Sequence, residues 1–346
     1  MSWSWLILAM IAAKALFCAT VVAAFYLYCR KHYLPAIARV FQERPLFIIP
    51  RGERDEDAEE VAFQTADGLT LRGCYLQTPA RERRGVILFG LEFGSDRWAA
   101  VSYCEGLRVA GYDVFAFEPR NHGESEKQGD YQPLQWATDR DLHDTQAAIE
   151  YLSSREDADP KGVGLFGISK GGSVGLVAAA SDPRVNCVVT DGAFGTITTV
   201  MPFFMRWLDI YAPKSKLAKY IPNVFFRTLA KDTIRTVAAE RNVRYLKVEP
   251  AVERLNRPWL MIHGGDDTYI KPEMAHSLHQ RAAKSGLSEL WMVDKAKHNQ
   301  AMHVAGEEYH RKLVEFFDEH LGNVSEPKSK TDLMPAHSLV RSKINV

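Results

Sequence analysis

Apolar and polar positions alternate along this chain in three distinct ways. From Trp3 to Tyr28 every residue is apolar except Ser4, Lys14 and Thr20. A membrane-spanning helix needs ~20 such residues, so this run suffices. Lys14 costs roughly 2.5–3.5 kcal/mol near the centre of a span, less if its amine snorkels. Trp3 and Trp5 at one end and Tyr26 and Tyr28 at the other suit the two interfaces. A cleaved signal peptide and a buried helix are the rival readings; the peptide would want an early basic residue and a small-residue cleavage site. Residues 1–5 have no basic side chain, and residues 25–29 are bulky. Arg30, Lys31 and Arg39 follow the run, which predicts a single-pass anchor with the C-terminal bulk on the cytoplasmic side.

The second regime is short and β-rich. Residues 61–65 and 69–77 flank Asp67-Gly68, a hairpin turn signal. The third regime starts after Arg84 and alternates. Apolar runs of strand length at 85–89, 113–117, 162–166, 185–190, 259–262 and 290–293 are separated by helical patterns at 96–110, 137–154, 170–180, 272–284 and 305–321. Fully apolar strands alternating with helices predict a parallel sheet covered on both faces. Residues 195–250 break the rhythm. They hold Phe203, Phe204, Trp207, Tyr211, Tyr220, Phe225 and Phe226 and no strand pattern. An unstructured loop of that length is improbable, so a helical cap is expected. Its rings either pack onto the body and line a pocket or form a lipid-facing lid. The predicted organisation is an anchor over 1–29, a linker over 30–57, a body over 58–321 and a disordered tail over 322–346. The anchor reads as a tether alone, so removing residues 1–30 is expected to leave a soluble, active body.

Composition narrows the chemistry. In 346 residues Lys+Arg and Asp+Glu are both 43, so no net field favours nucleic acid. The five cysteines, Cys18, Cys29, Cys74, Cys104 and Cys187, are scattered, which excludes a disulfide framework. No Cys/His spacing suits a metal, and no cofactor is expected.

Gly167-Ile168-Ser169-Lys170-Gly171 joins an apolar strand to a small-residue helix. A nucleophilic serine on a sharp strand-to-helix turn needs glycines two positions to either side, because strand and helix pass closely there. A serine hydroxyl is a weak nucleophile and needs a base. In this architecture an acid and a histidine follow in that order. Asp267 lies just past the strand at 259–262, and His298 lies after the last strand. His298 would take the serine's proton, with Asp267 holding the ring's tautomer. Asp266 and Asp191 are weaker candidates for the acid, and His263 is expected to pin the turn. Two backbone N–H groups would hold the oxyanion. Lys170 supplies one and Leu91 the other, with Glu92 the second choice for that place. The Lys170 side chain is expected to be an exposed charge.

These segments, with Glu118-Pro-Arg-Asn-His-Gly-Glu-Ser125 and His263-Gly-Gly-Asp-Asp-Thr-Tyr-Ile270, resemble the α/β-hydrolase superfamily. They are most similar to its serine aminopeptidase/lysophospholipase-like branch, over about residues 60–320. The resemblance implies an eight-stranded, mostly parallel sheet with a helical cap, and hydrolysis through an acyl-enzyme. It implies that His122 and Gly123 shape their loop without doing chemistry. Phe89-Gly90 departs from the branch's usual His-Gly, and Asn121 replaces its usual glycine. The expected substrate is a small or lipid-like acyl ester or thioester. Acidic side chains in the cap would mark an aminopeptidase instead, and Asp209, Asp232, Glu240 and Glu249 are scattered. Acyl transfer would use the same intermediate, and a non-catalytic binding relative would be expected to lack a member of the triad.

Overall fold

A computed structural model describes residues 3–42, 51–211, 221–282 and 286–322. The chain divides into two compact units, one of Met1–Arg44 with Val200–Glu240 and one of the remainder.

The larger unit is built on one eight-stranded sheet. Its strands are β1 (Glu59–Gln64), β2 (Thr70–Leu76), β3 (Gly85–Gly90), β4 (Tyr112–Glu118), β5 (Val163–Ile168), β6 (Val185–Asp191), β7 (Trp259–Gly264) and β8 (Ser288–Val293). Their order across the sheet is β1-β2-β4-β3-β5-β6-β7-β8. The first hairpin pairs antiparallel, as does β2 with β4, and the other pairs are parallel. Strand side chains alternate between faces, so each central strand feeds two cores. Val86 and Leu88 of β3 enter one, with α4 (Asp139–Ser154), α5 (Lys170–Ala179), α8 (Val248–Arg254) and α9 (Pro272–His279). Ile87 and Phe89 enter the other, with α2 (Ala99–Tyr103), α3 (Glu105–Val109), α10 (Ala301–Ala305) and α11 (Glu307–Phe317).

Two predicted helices are interrupted. The segment 96–110 breaks at Cys104 (φ −109°, ψ 11°) into α2 and α3. The segment 305–321 starts afresh at Gly306, whose φ is +54°, and ends in a π-helical turn over Asp318–Gly322. The predicted tail lies outside the described residues from 323 onward.

The smaller unit corrects the linker. Helix α1 runs from Trp3 to Phe41, so residues 30–41 continue the helix. Pro35 within it forfeits one backbone hydrogen bond. A helical stripe of buried Cys29, Leu34, Ile37, Ala38 and Phe41 holds this half. It packs with α6 (Ile197–Tyr211) and α7 (Asn223–Glu240) in a cluster of Cys29, Ile37, Phe204, Phe226 and Leu229. The cap region is helical as predicted, but its Phe204, Phe225 and Phe226 pack with the N-terminal helix. That helix therefore packs along its second half with the cap helices. It is long and apolar enough to cross a membrane.

Candidate active site

Ser169 sits between β5 and α5 with φ 50° and ψ −112°, a conformation that costs a non-glycine residue ~1–3 kcal/mol. The surrounding glycines make the turn sterically possible. A Cβ on Gly167 would lie 2.5 Å from the nitrogen of Gly172, and one on Gly172 would lie 2.7 Å from the carbonyl oxygen of Gly167. The Ser169 N–H donates to the carbonyl of Asp191 at 2.7 Å, which ties the turn to the end of β6.

The three predicted side chains meet. Ser169 Oγ lies 3.0 Å from His298 Nε2, and His298 Nδ1 lies 2.7 Å from Asp267 Oδ2. With Nδ1–H donating to Asp267, Nε2 presents a lone pair to the serine hydroxyl. The other Asp267 oxygen accepts from the backbone N–H groups of Tyr269 and Ile270, each at 2.8 Å. His263 holds the same turn, its Nε2–H donating to the carbonyl of Ile270 at 2.7 Å. Burial pushes the His263 pKa down, against the pull of Asp267. Asp266 is exposed. Asp191 is fully buried, accepts from the Tyr309 hydroxyl at 2.8 Å, and is pushed up to about 7 by that burial.

The backbone segments carrying the expected oxyanion donors touch. Leu91 directly follows β3 and Lys170 opens α5. A Cβ on Gly171 would lie 2.3 Å from the carbonyl carbon of Gly90 and 2.6 Å from the carbonyl oxygen of Leu91. The Lys170 side chain is not the exposed charge expected. It is 4% exposed, with Nζ 2.8 Å from Asp141 Oδ1 and 5.7 Å from the Phe93 ring centroid. Asp141 also accepts from the Thr138 N–H and hydroxyl, both at 2.8 Å, capping α4. The amine is therefore neutralised by a fixed carboxylate, which lets it leave water.

One contact escaped sequence reasoning. The buried Glu92 carboxylate accepts from Asn299 Nδ2 at 2.5 Å. It joins the residue after Leu91 to the residue after His298. Burial raises the Glu92 pKa, while Asn299 and His298 oppose the shift. The only hint in sequence is that both residues lie in loops at the carboxyl edge of the sheet. Asn299 adopts φ +55°, and a Cβ on Gly192 would lie 2.6 Å from its Oδ1, so the histidine loop is closely moulded. His122 Nδ1 lies 3.1 Å from the carbonyl oxygen of Arg120 within its own loop. Burial, with the nearby Lys170 charge, lowers its pKa. Among the described residues no group of His, Cys, Asp or Glu is gathered to hold a metal.

A sequence profile described as the alpha/beta hydrolase family matches residues 86–312, and the chain belongs to that family. Its curated relatives include the thiohydrolase aneE of Aspergillus aculeatus, 31% identical over 40% of this chain and 43% of that protein. The acyltransferase drtE of Aspergillus calidoustus is 30% identical over 38% and 42% of the two chains. The chain thus spans less than half the length of these relatives. Among solved structures, an esterase of Pyrococcus furiosus aligns with TM-score 0.61 and 20% identity, covering 81% of this chain and 97% of its own. An acylaminoacyl peptidase of Pyrococcus horikoshii aligns with TM-score 0.53 and 18% identity, covering 80% and 44%. At these identities the structures attest the fold.

Proposed function

We propose that this protein is a membrane-tethered serine hydrolase that cleaves carboxylic esters or thioesters through an acyl-enzyme. The observation that carries the reading is the continuous contact from Ser169 Oγ through His298 to Asp267 at a strained strand-to-helix turn. His298 Nε2 takes the hydroxyl proton as Ser169 Oγ attacks the acyl carbon. The Lys170 and Leu91 N–H groups receive the developing oxyanion. The tetrahedral intermediate collapses, and the imidazolium returns its proton to the departing alcohol or thiol. Water then attacks the acyl-serine with the same histidine as base, restoring the enzyme.

The thiohydrolase and acyltransferase among the relatives support a hydrolase or acyl-transfer chemistry. A transferase would differ only in admitting a second acceptor in place of water. An aminopeptidase-like activity would need acidic groups to hold a free α-amine, and Asp232 in the cap is already engaged by the Tyr26 hydroxyl. The anchor reading rests on α1 and the basic residues that follow its apolar run, with the body on the cytoplasmic side. A fluorophosphonate probe tests the chemistry. It should label the wild-type chain once and leave Ser169→Ala unlabelled. Equal labelling of both chains would refute the assignment.

A further inference from the structure

Burial along α1 changes abruptly. Every described residue from Trp3 to Phe25 is exposed. At 1.5 Å per residue that stretch is about 34 Å long, against ~30 Å of bilayer hydrocarbon. Packing begins where this length ends. The Tyr26 hydroxyl donates to Asp232 Oδ2 of α7 at 2.5 Å. Phe225 of α7 stacks on Phe25, with ring centroids 5.5 Å apart and planes at 25°. The same ring meets Tyr26 edge-on at 5.5 Å and 87°. Beyond them, Cys29 and Ile37 are buried with Phe204, Phe226 and Leu229.

The first turn of α7 therefore lies beside the last turn of the apolar stretch. Val224, in that turn, is 68% exposed. Arg30 and Lys31, one turn further along α1, are exposed too, as cations facing phosphate headgroups would be. Three features thus fall at one level: the end of a bilayer-length apolar surface, a pair of exposed cations, and a bare apolar side chain on the cap. A bilayer surface is the partner that matches all of them.

We propose that α1 and the α6–α7 cap form one membrane-seated unit, with the start of α7 in the headgroup layer, and that the natural substrates are acyl lipids of the same bilayer. The inference deepens the hydrolase reading and rests on it for the substrate class. The placement of α7 does not depend on activity.

The test uses the full chain in phosphatidylcholine vesicles. In a Cys18→Ala background, an environment-sensitive fluorophore is attached at Val224→Cys, and at Val109→Cys, which is exposed in the body. Emission at position 224 should shift to the blue and be quenched by lipids spin-labelled near the headgroup, while position 109 responds to neither. Identical behaviour at both positions would overturn the placement, as would recovery of a mature chain lacking residues 1–25. For the substrate class, Tyr26→Phe/Phe225→Ala should lose ~10-fold or more in hydrolysis of a vesicle-embedded palmitoyl ester. Its rate on a soluble butyryl ester should stay within about 3-fold of wild type. Equal loss on both esters, or loss on neither, would overturn the membrane-supply inference. Failure of the wild type on the soluble ester would instead count against the hydrolase reading.

Discussion

Replacing Gly171 with alanine tests the geometry of the proposed oxyanion site without touching any of the proposed reacting side chains. The added Cβ would lie 2.3 Å from the carbonyl carbon and oxygen of Gly90 and 2.6 Å from the Leu91 oxygen, where ordinary contact begins at 3.4 Å. Backbone has to yield by roughly 1 Å, and the atoms that must yield carry the Leu91 N–H. A misplacement of that size costs on the order of 10²-fold in rate, or about 2.7 kcal/mol of transition-state stabilisation. Alanine also favours a helix over glycine by about 1 kcal/mol, so α5 itself is not weakened by propensity. The assay is kcat/KM on a soluble ester, normalised to active sites titrated by a fluorophosphonate after long incubation. Gly129→Ala, where an added Cβ meets nothing within 4 Å, serves as the control and should be silent. The expected result is a fall of about 100-fold carried by kcat, with full labelling at the end point. A Gly171→Ala enzyme within 3-fold of wild type would refute the argument that this contact positions the oxyanion donors.

Asp267→Asn should lower kcat by about 10⁴-fold, because the amide favours the wrong histidine tautomer, whereas Asp266→Asn should leave it unchanged; steady-state kinetics on a short ester decides. Asp191 is raised to about 7 by burial, so between pH ~4 and 7 the folded state holds a proton that the unfolded state has lost. Stability should therefore fall as pH rises through that window, by at most about 1.4 kcal/mol per unit, and Asp191→Asn should flatten this slope in thermal melts. Lys170→Met leaves Asp141 buried without its cation and should cost about 3–5 kcal/mol of stability in urea. It keeps its backbone N–H, so Ser169 should still be labelled fully below the melting temperature.

What was legible in the sequence is what depends on local pattern and chain order. The strand before Ser169, the helix after it and the close-packed glycines are contiguous in sequence. Asp267 and His298 follow because each ends a recognisable strand on the same sheet edge. The burial of the Lys170 side chain is not legible because its partner, Asp141, belongs to another helix, and a lysine directly after Ser169 carries no mark of burial. The Glu92–Asn299 bond joins residues 207 positions apart, and the Tyr26–Asp232 bond joins residues 206 apart. Neither leaves a periodic trace. The buried stripe of α1 was hidden for another reason. The stripe lies between Cys29 and Phe41, beyond the apolar run, where Pro35 reads as the end of a helix that in fact continues to Phe41.

The central claim is that Ser169 carries the acyl group. Rapid quenching of the full chain during turnover of a p-nitrophenyl acyl ester, followed by peptide mass spectrometry, tests it directly. The account predicts one acyl group per chain, on the peptide holding Ser169, which disappears as hydrolysis completes and is absent in Ser169→Ala. Turnover by Ser169→Ala at the wild-type rate, or an acyl group on any other residue, would contradict it.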